Sequence, residues 1–279
     1  MMARLSKQLW KKHDDAEALL SLDRPLTDDE VQQVLTDWHP EARTNVGVAG
    51  AFFTPLALAL DVTMLATYNG ARPHYLDLCA GIGRLTWAMS RWHAWSNEPV
   101  HVTAVELNAE YVDVGRRVLR DVPNLTVDWV VGNAFDMAVV EPLAPFHAGM
   151  SNPPFGKPKT NVSAGLRYTG AGELQAAEVI ARTCTYGGIL ICGAQVVPWR
   201  RSLTGAREEY EDAKRVEYED WRRANDGWYL ERTSLDPRTE AYQFDVGVSF
   251  DIAEIDRVDG AYGVLAELAG LPLFEGAIA

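Results

Sequence analysis

Asn152-Pro153-Pro154-Phe155, closing a short apolar run and followed by Gly156, is the part of this chain best equipped for chemistry. Two consecutive prolines fix the backbone and remove two N–H donors, leaving carbonyls free to accept. The Asn152 amide oxygen and the Pro153 carbonyl can then both accept from one exocyclic amino group. An aromatic amine delocalises its lone pair into the ring, and two acceptors on its hydrogens favour the pyramidal form in which that pair can attack a methyl carbon. No strong base is required. Phe155 is placed to stack on an extruded ring. The alternative is a rigid turn after a strand with Phe155 in the core.

A methyl donor has its own requirements. Leu76-Asp77-Leu78-Cys79-Ala80-Gly81-Ile82-Gly83 follows an expected strand and opens an expected helix, a context in which glycines let a ligand approach the backbone and a helix N-terminus offers free N–H groups. Glu106 ends the next expected strand, where a carboxylate can hold both hydroxyls of a ribose. The third glycine of a pyrophosphate fingerprint is missing, Thr86 standing at that spacing. Asp77 would repel a phosphate but suits an amino-acid ammonium. S-adenosylmethionine, an adenosine without phosphate plus a methionine tail, meets these conditions. After the third strand, Asn133 offers an amide to the adenine, while Phe135 packs either on its face or in the core. Cys79 in the turn, Leu107 beside Glu106, Ala134 between Asn133 and Phe135, and Asn152 itself complete the candidate cofactor set.

Upstream, Phe52-Phe53-Thr54-Pro55 precedes the glycine motif. In motif order and residues, the stretch from Val46 to Val196 resembles the amino-group N-methyltransferases, specifically the adenine-N6 DNA methyltransferases of the gamma arrangement, including type I modification subunits. The pairing of Phe-Phe-Thr-Pro with Asn-Pro-Pro-Phe is far more specific than either motif alone. The resemblance implies a Rossmann-like class I methyltransferase fold and S-adenosylmethionine as cofactor. It implies that Phe53, Thr54 and Pro55 border the methionine end, that Asp77, Gly81 and Gly83 form the turn beneath it, and that Glu106 takes the ribose and Asn133 the adenine. Asn152 to Phe155 engage the target base. The chain departs from that family at Cys79, where glycine is frequent, at Asn133, where an acid is frequent, and in having no long target-recognition domain. Methyl transfer to RNA bases or to protein glutamine, and a nonenzymatic subunit of the same fold, are the rival readings.

The elements expected to hold these residues alternate. Strands are expected at Tyr75–Cys79, Val102–Leu107, Leu125–Val131, Phe146–Ser151 and Gly188–Val196, with helices at Leu85–Arg91, Ala109–Leu119 and Glu173–Thr183 between them. This rhythm predicts an α/β fold around a mainly parallel sheet covered on both faces. Thr54 before Pro55 reads as the N-cap of a helix over Leu56–Leu65. Two strand-like runs, Trp228–Thr233 and Gln243–Ile255, predict an antiparallel edge pair, preceded by a charged helix from about Arg207 to Ala224. The N-terminus reads as a helical extension over 1–44, with a helix from Leu5 to Leu20 and a capping box at Thr27-Asp28-Asp29-Glu30 stapled by Leu26 and Val31. The methyltransferase domain is expected over 45–279.

The 279 residues include 26 Lys plus Arg against 39 Asp plus Glu, a net charge of -13, which argues against a nucleic-acid partner if the charge is spread evenly. It is not: Ser151–Ser202 carries Lys157, Lys159, Arg167, Arg182, Arg200 and Arg201 against Glu173 and Glu178, or +4. Lys157, Lys159 and Arg167 follow the Asn-Pro-Pro-Phe motif directly and are candidate phosphate contacts beside a flipped base, unless the loop is a solvated one with incidental charge. The expectation is DNA bound weakly by the chain alone, with a separate specificity or partner protein, as in restriction-modification systems. The six histidines and three cysteines show no metal-ligand spacing, so no metal is expected. No apolar run approaches a bilayer span and no secretory leader is evident, which points to the cytoplasm of a bacterial or phage-infected cell.

Overall fold

The computed structural model describes residues 7–39, 53–67, 72–94, 98–158, 164–194, 196–201, 207–209, 215–244 and 249–257. Two helices, α1 (Lys7–Leu20) and α2 (Asp28–Asp37), form the N-terminal extension, and α3 (Leu56–Leu65) leads into the sheet. The expected alternation follows as β1 (His74–Leu78), α4 (Arg84–His93), β2 (Val100–Glu106), α5 (Ala109–Leu119) and β3 (Leu125–Val131). A short α6 (Met137–Val140), β4 (Ala148–Ser151), α7 (Gly172–Thr183) and β5 (Gly188–Gly193) come next. The chain then adds β6 (Trp199–Arg201), β7 (Arg207–Glu209), α8 (Arg215–Ala224), β8 (Trp228–Arg232) and β9 (Phe250–Arg257).

The strands lie in the order β3-β2-β1-β4-β5-β9-β8-β6-β7. The first five are mutually parallel, and β9 runs antiparallel between β5 and β8. The expected antiparallel pair is therefore β8–β9, and a β6–β7 hairpin extends the sheet beyond it. That hairpin corrects the charged helix expected from Arg207: Arg207–Glu209 is strand, and the helix begins at Arg215. Three strand boundaries also contract by two or more residues. Phe146 makes only an isolated bridge to Cys184, β5 ends at Gly193 rather than Val196, and a helical turn at Glu240–Tyr242 lies just before the Gln243–Ile255 run, whose strand begins at Phe250. Apolar composition extends past the residues the ladders pair, so hydrophobic runs overestimate strand length.

Period-two alternation divides the strands between two cores. Tyr75, Met150, Ile189, Ile191 and Ile252 face the first, with α1 to α5, whereas Leu76, Leu78, Leu190, Cys192 and Ile255 face the second, with α6 to α8. The extension shares the first core through Ala16, Leu20, Val31, Leu35 and the fully buried Trp38. The capping box forms as expected: the Thr27 amide donates to Glu30 at 2.8 Å and the Glu30 amide donates to Thr27 Oγ1 at 3.3 Å. Among the described residues no helix is long and apolar enough to cross a membrane, and no group of three or more His, Cys, Asp or Glu is placed to hold a metal.

At the N-terminal ends of β1 and β2, away from the motif-bearing loops, the rings of His74 and His101 stack with centroids 4.1 Å apart. His101 Nε2 lies 2.8 Å from Asp128 Oδ2, His74 Nε2 lies 2.9 Å from Thr103 Oγ1, and the His74 amide donates to His147 Nδ1 at 2.9 Å. Burial, aided by the neighbouring His101, lowers the His74 pKa from 6.5 to about 4. A group held neutral in this way leaves stability intact above its ordinary pKa and withdraws it as pH falls towards the folded value. His74→Gln is accordingly expected to show a smaller fall in urea midpoint between pH 6.5 and pH 4 than the parent chain, and an equal fall would refute the assignment.

Candidate active site

The strand order reverses between β1 and β4, and in such sheets the crevice at the C-terminal strand ends is where ligands bind. The residues after β1, β2, β3 and β4 meet there. Leaving β1, Cys79 takes φ 58°, Gly81 φ 58° and Gly83 φ 89°, a left-handed series that turns the chain into α4. Cys79 adopts this backbone without being glycine. A Cβ on Gly81 would stand 2.9 Å from the Phe53 ring, so the missing side chain is what lets Phe53 lie over the turn.

Glu106, at the end of β2, secures the turn from the side. One carboxylate oxygen accepts the Gly81 amide at 2.8 Å and the other accepts the Asn108 amide at 2.8 Å at the start of α5. Burial raises its pKa, opposed by those amide bonds. Leu107, next in sequence, is 63% exposed and offers an apolar face beside the carboxylate. Asn133, after β3, accepts the Phe135 amide on Oδ1 at 3.0 Å in a local turn. Ala134 and Phe135 are buried in the second core, so of the two readings of Phe135 the core one is the geometry found.

Asp77 lies within β1, fully buried rather than lining an open surface. Its Oδ2 accepts both the amide (3.1 Å) and the hydroxyl (2.6 Å) of Thr86 in the first turn of α4. Its Oδ1 is buried with no partner among the described residues. Burial lifts its pKa from 3.8 to about 7. An unpaired acceptor of this kind calls for a donor that the surrounding chain does not supply.

The Asn152–Phe155 segment leaves β4, whose last residue, Ser151, donates its hydroxyl to the Leu78 carbonyl at 2.8 Å and so ties β4 to the end of β1. Asn152 Nδ2 donates to Thr54 Oγ1 at 2.9 Å. Two motifs 98 residues apart are thereby in direct contact. This corrects the helix-capping expectation: α3 begins at Leu56 with Pro55 at its N-cap and no side-chain cap, and the Thr54 hydroxyl serves Asn152 instead. Phe53 sits in an aromatic group with Tyr111 (5.4 Å) and Trp38 (6.1 Å), beneath the Arg84 guanidinium at 5.0 Å. Pro55, which closes the same motif, gives its carbonyl to the Ala59 amide at 2.9 Å.

Two carboxylates that the sequence reading counted only as charge turn out to build the site. Glu173 on α7 is buried; one oxygen accepts the Gly156 amide at 2.9 Å and the other the Gly193 amide at 3.3 Å, joining the loop after Phe155 to the end of β5. Glu178, also buried, accepts the amides of Arg167 (2.7 Å) and Tyr168 (2.8 Å). The available clue was two acids spaced among the apolar residues of a helix, Gly172–Thr183, where a buried carboxylate must find donors. Of the basic residues, Lys157 and Arg167 are exposed, and Arg167 also donates to the Ala224 carbonyl at 3.3 Å. Arg182 is engaged internally by Glu178, Glu141 and the Gly165 carbonyl. Lys159 lies outside the described residues, as does Phe52, and Arg200 and Arg201 fall in β6.

No family model matches the chain, and a search of curated proteins finds no match. Solved structures share its fold at low identity. A candidate class I S-adenosylmethionine-dependent methyltransferase from Listeria monocytogenes superposes with a TM-score of 0.59 at 14% identity, covering 90% of this chain and 81% of that one. The modification subunit of a candidate type I restriction enzyme from Vibrio vulnificus YJ016 gives 0.54 at 12% identity, over 84% of this chain and 51% of that subunit. The present chain thus spans about half the length of that subunit. The fold is the Rossmann-like class I methyltransferase fold.

Two outcomes follow from the buried carboxylates. Glu173→Ala leaves the Gly156 and Gly193 amides without their acceptor and is expected to cost about 3 kcal/mol in urea unfolding; a loss below ~1 kcal/mol would contradict the clamp. Asp77 has a raised folded pKa, so the stability it withholds grows as pH rises from 3.8 through about 7. Asp77→Asn, which can keep the Thr86 bonds, should therefore gain more in melting temperature over the parent at about pH 8 than at about pH 5; a gain independent of pH would refute the shift.

Proposed function

We propose that this chain is an S-adenosylmethionine-dependent methyltransferase that methylates the N6 amino group of adenine in DNA. The observation that carries the reading is the contact of Asn152 with Thr54, which brings the Asn-Pro-Pro-Phe and Phe-Thr-Pro segments to one crevice beside the glycine turn.

The residues present suit the cofactor. The unpartnered Oδ1 of Asp77 below the turn matches the need of an amino-acid ammonium for an acceptor. Glu106 retains acceptor capacity for ribose hydroxyls beyond the amides of Gly81 and Asn108, because each carboxylate oxygen carries more than one lone pair. Exposed Leu107 supplies an apolar surface for an adenine ring. When bound, the cofactor contributes an electrophilic methyl group on sulfur. The chain's own part is positional: Asn152 and the Pro153 carbonyl accept the target amine's hydrogens, Phe155 packs against the base, and Glu173 keeps Gly156 and the loop in place. Holding the amine in line with the methyl accounts for most of the rate enhancement such a site can supply.

For the substrate, the support is the motif order and the exposed Lys157 and Arg167 in the segment that follows Phe155. The body of the protein is acidic, and Arg182 adds nothing to a binding surface because it is internally paired. DNA binding by the chain alone is therefore weak and salt-sensitive, with a separate specificity protein supplying the rest. Methylation of RNA bases or protein glutamine, whose planar amines suit the same acceptors, is the second reading, and the acidic body favours the protein substrate within it. Tritium transfer from labelled cofactor to DNA, RNA and protein fractions separates them, and methylation-aware sequencing of DNA from expressing cells gives the site. Asn152→Ala is expected to keep cofactor binding by calorimetry and lose methyl transfer by at least about a hundredfold; full transfer by that variant would overturn the proposal. Nanomolar DNA affinity of the chain alone at physiological salt would overturn the need for a partner.

A further inference from the structure

We infer that Thr54, held in place by Arg84, is a positioning residue for Asn152, and that the helical extension is through these contacts part of the target-amine end of the site. The inference rests on the methyltransferase reading and adds to it a role for the Thr54 hydroxyl beyond the methionine end, and a role for the Arg84 guanidinium.

The Asn152 side-chain amide has both an acceptor and two donors to satisfy. If its oxygen accepts from the target amine, its nitrogen still carries two donors at a half-buried position. Leaving a buried donor unpaired costs about 1–3 kcal/mol. Thr54, itself buried, takes one of them at 2.9 Å, and in doing so turns Nδ2 to one side and Oδ1 to the other. The bond is useful only if Thr54 is fixed. Pro55 restricts the backbone of the residue before it, and the Thr54 carbonyl accepts Arg84 Nη1 at 3.0 Å. Arg84 Nη2 reaches the Thr36 carbonyl of α2 at 3.3 Å, and the guanidinium lies over Phe53. Arg84 is also the first residue of α4, directly after Gly83. One side chain thus joins the extension, the Phe-Thr-Pro segment and the glycine turn, and the line from Thr36 to Asn152 passes through Arg84 and Thr54. A wider role in lining the methionine end does not require this hydroxyl to face Asn152, so the two roles are separable by experiment.

The test compares Thr54→Val, which keeps shape and removes the acceptor, with Thr54→Ser, which keeps it. Cofactor affinity is read by calorimetry, and kcat and KM by tritium transfer to plasmid DNA from a host without adenine methylation. Thr54→Val is expected to lower kcat about tenfold with KM and cofactor affinity within about threefold, Thr54→Ser to stay near the parent, and Arg84→Met to lower kcat in the same direction. Weakened cofactor affinity with unchanged kcat in Thr54→Val would overturn the inference, assigning the hydroxyl to the cofactor. Thr54→Ala gives the same comparison should the valine variant not fold. If the parent labels neither DNA, RNA nor protein, the methyltransferase reading falls, and the Asn152 side-chain amide resonances, assigned with Asn152→Asp, still decide the contact. Faster amide exchange with water in Thr54→Val than in the parent supports it, and identical exchange overturns it.

Discussion

Glu106 carries the constraint on which the rest of the crevice depends. A carboxylate at a strand end would ordinarily be solvated, yet here it is buried and answers two backbone amides, Gly81 from the β1 turn and Asn108 from the start of α5. That arrangement locks the two parallel strands' exits together at one spacing. It holds Gly81 in a left-handed conformation close under Phe53, where no Cβ fits. Phe53 in turn stands among Trp38, Tyr111 and Arg84, so the position of the turn is communicated to the helical extension by packing. Removing the carboxylate would leave two amides unpaired and the turn without its lateral support.

A second buried carboxylate repeats the device on the other side of the crevice. Glu173 bridges the amides of Gly156 and Gly193, and Glu178, further along the same helix, holds Arg167 and Tyr168. Pro153 and Pro154 have no N–H to tie the motif into a ladder, and the amides of Gly156, Arg167 and Tyr168 in the loop beyond it are held by carboxylates instead. Charged acceptors on a buried helix supply that order, although charge must be buried to do so. Charge-assisted bonds to amides are about twice as strong as neutral ones, which suits a loop that must present an aromatic ring without regular structure around it.

Much of this was legible in the chain. The five parallel strands and intervening helices were visible because the buried strands read as apolar runs between amphipathic helices and the edge strand β3 as an alternation of apolar and polar residues, and the Thr27 capping box and Gly81–Gly83 turn act through neighbours in sequence. Glu106 was readable as a carboxylate at the end of β2. Apart from strand ends, the errors were of one kind. Thr54 has the local grammar of a helix cap, but its hydroxyl belongs to Asn152, and Arg207–Glu209 has the charge pattern of a solvated helix but pairs with β6. Where a side chain has both a local and a distant partner available, propensity sees only the first.

The linear chain already contains the chemistry on offer: an amide and two prolines able to accept from an amine, a glycine turn, an acid spaced for a ribose, and a -13 charge unevenly spread. The α/β alternation belongs with these, since it follows from short-range periodicity. Which of these groups face one another is settled in three dimensions. The Thr54–Asn152 contact spans 98 residues, the Arg84 link to Thr36 spans 48, and the Glu173 bridge joins the loop after Phe155 to the end of β5. Folding also fixes which charges are available, pairing Arg182 internally while leaving Lys157 exposed. The reason is that hydrogen bonds and ion pairs between distant segments depend on strand order and packing, and a linear sequence specifies these only through the energy of the whole fold.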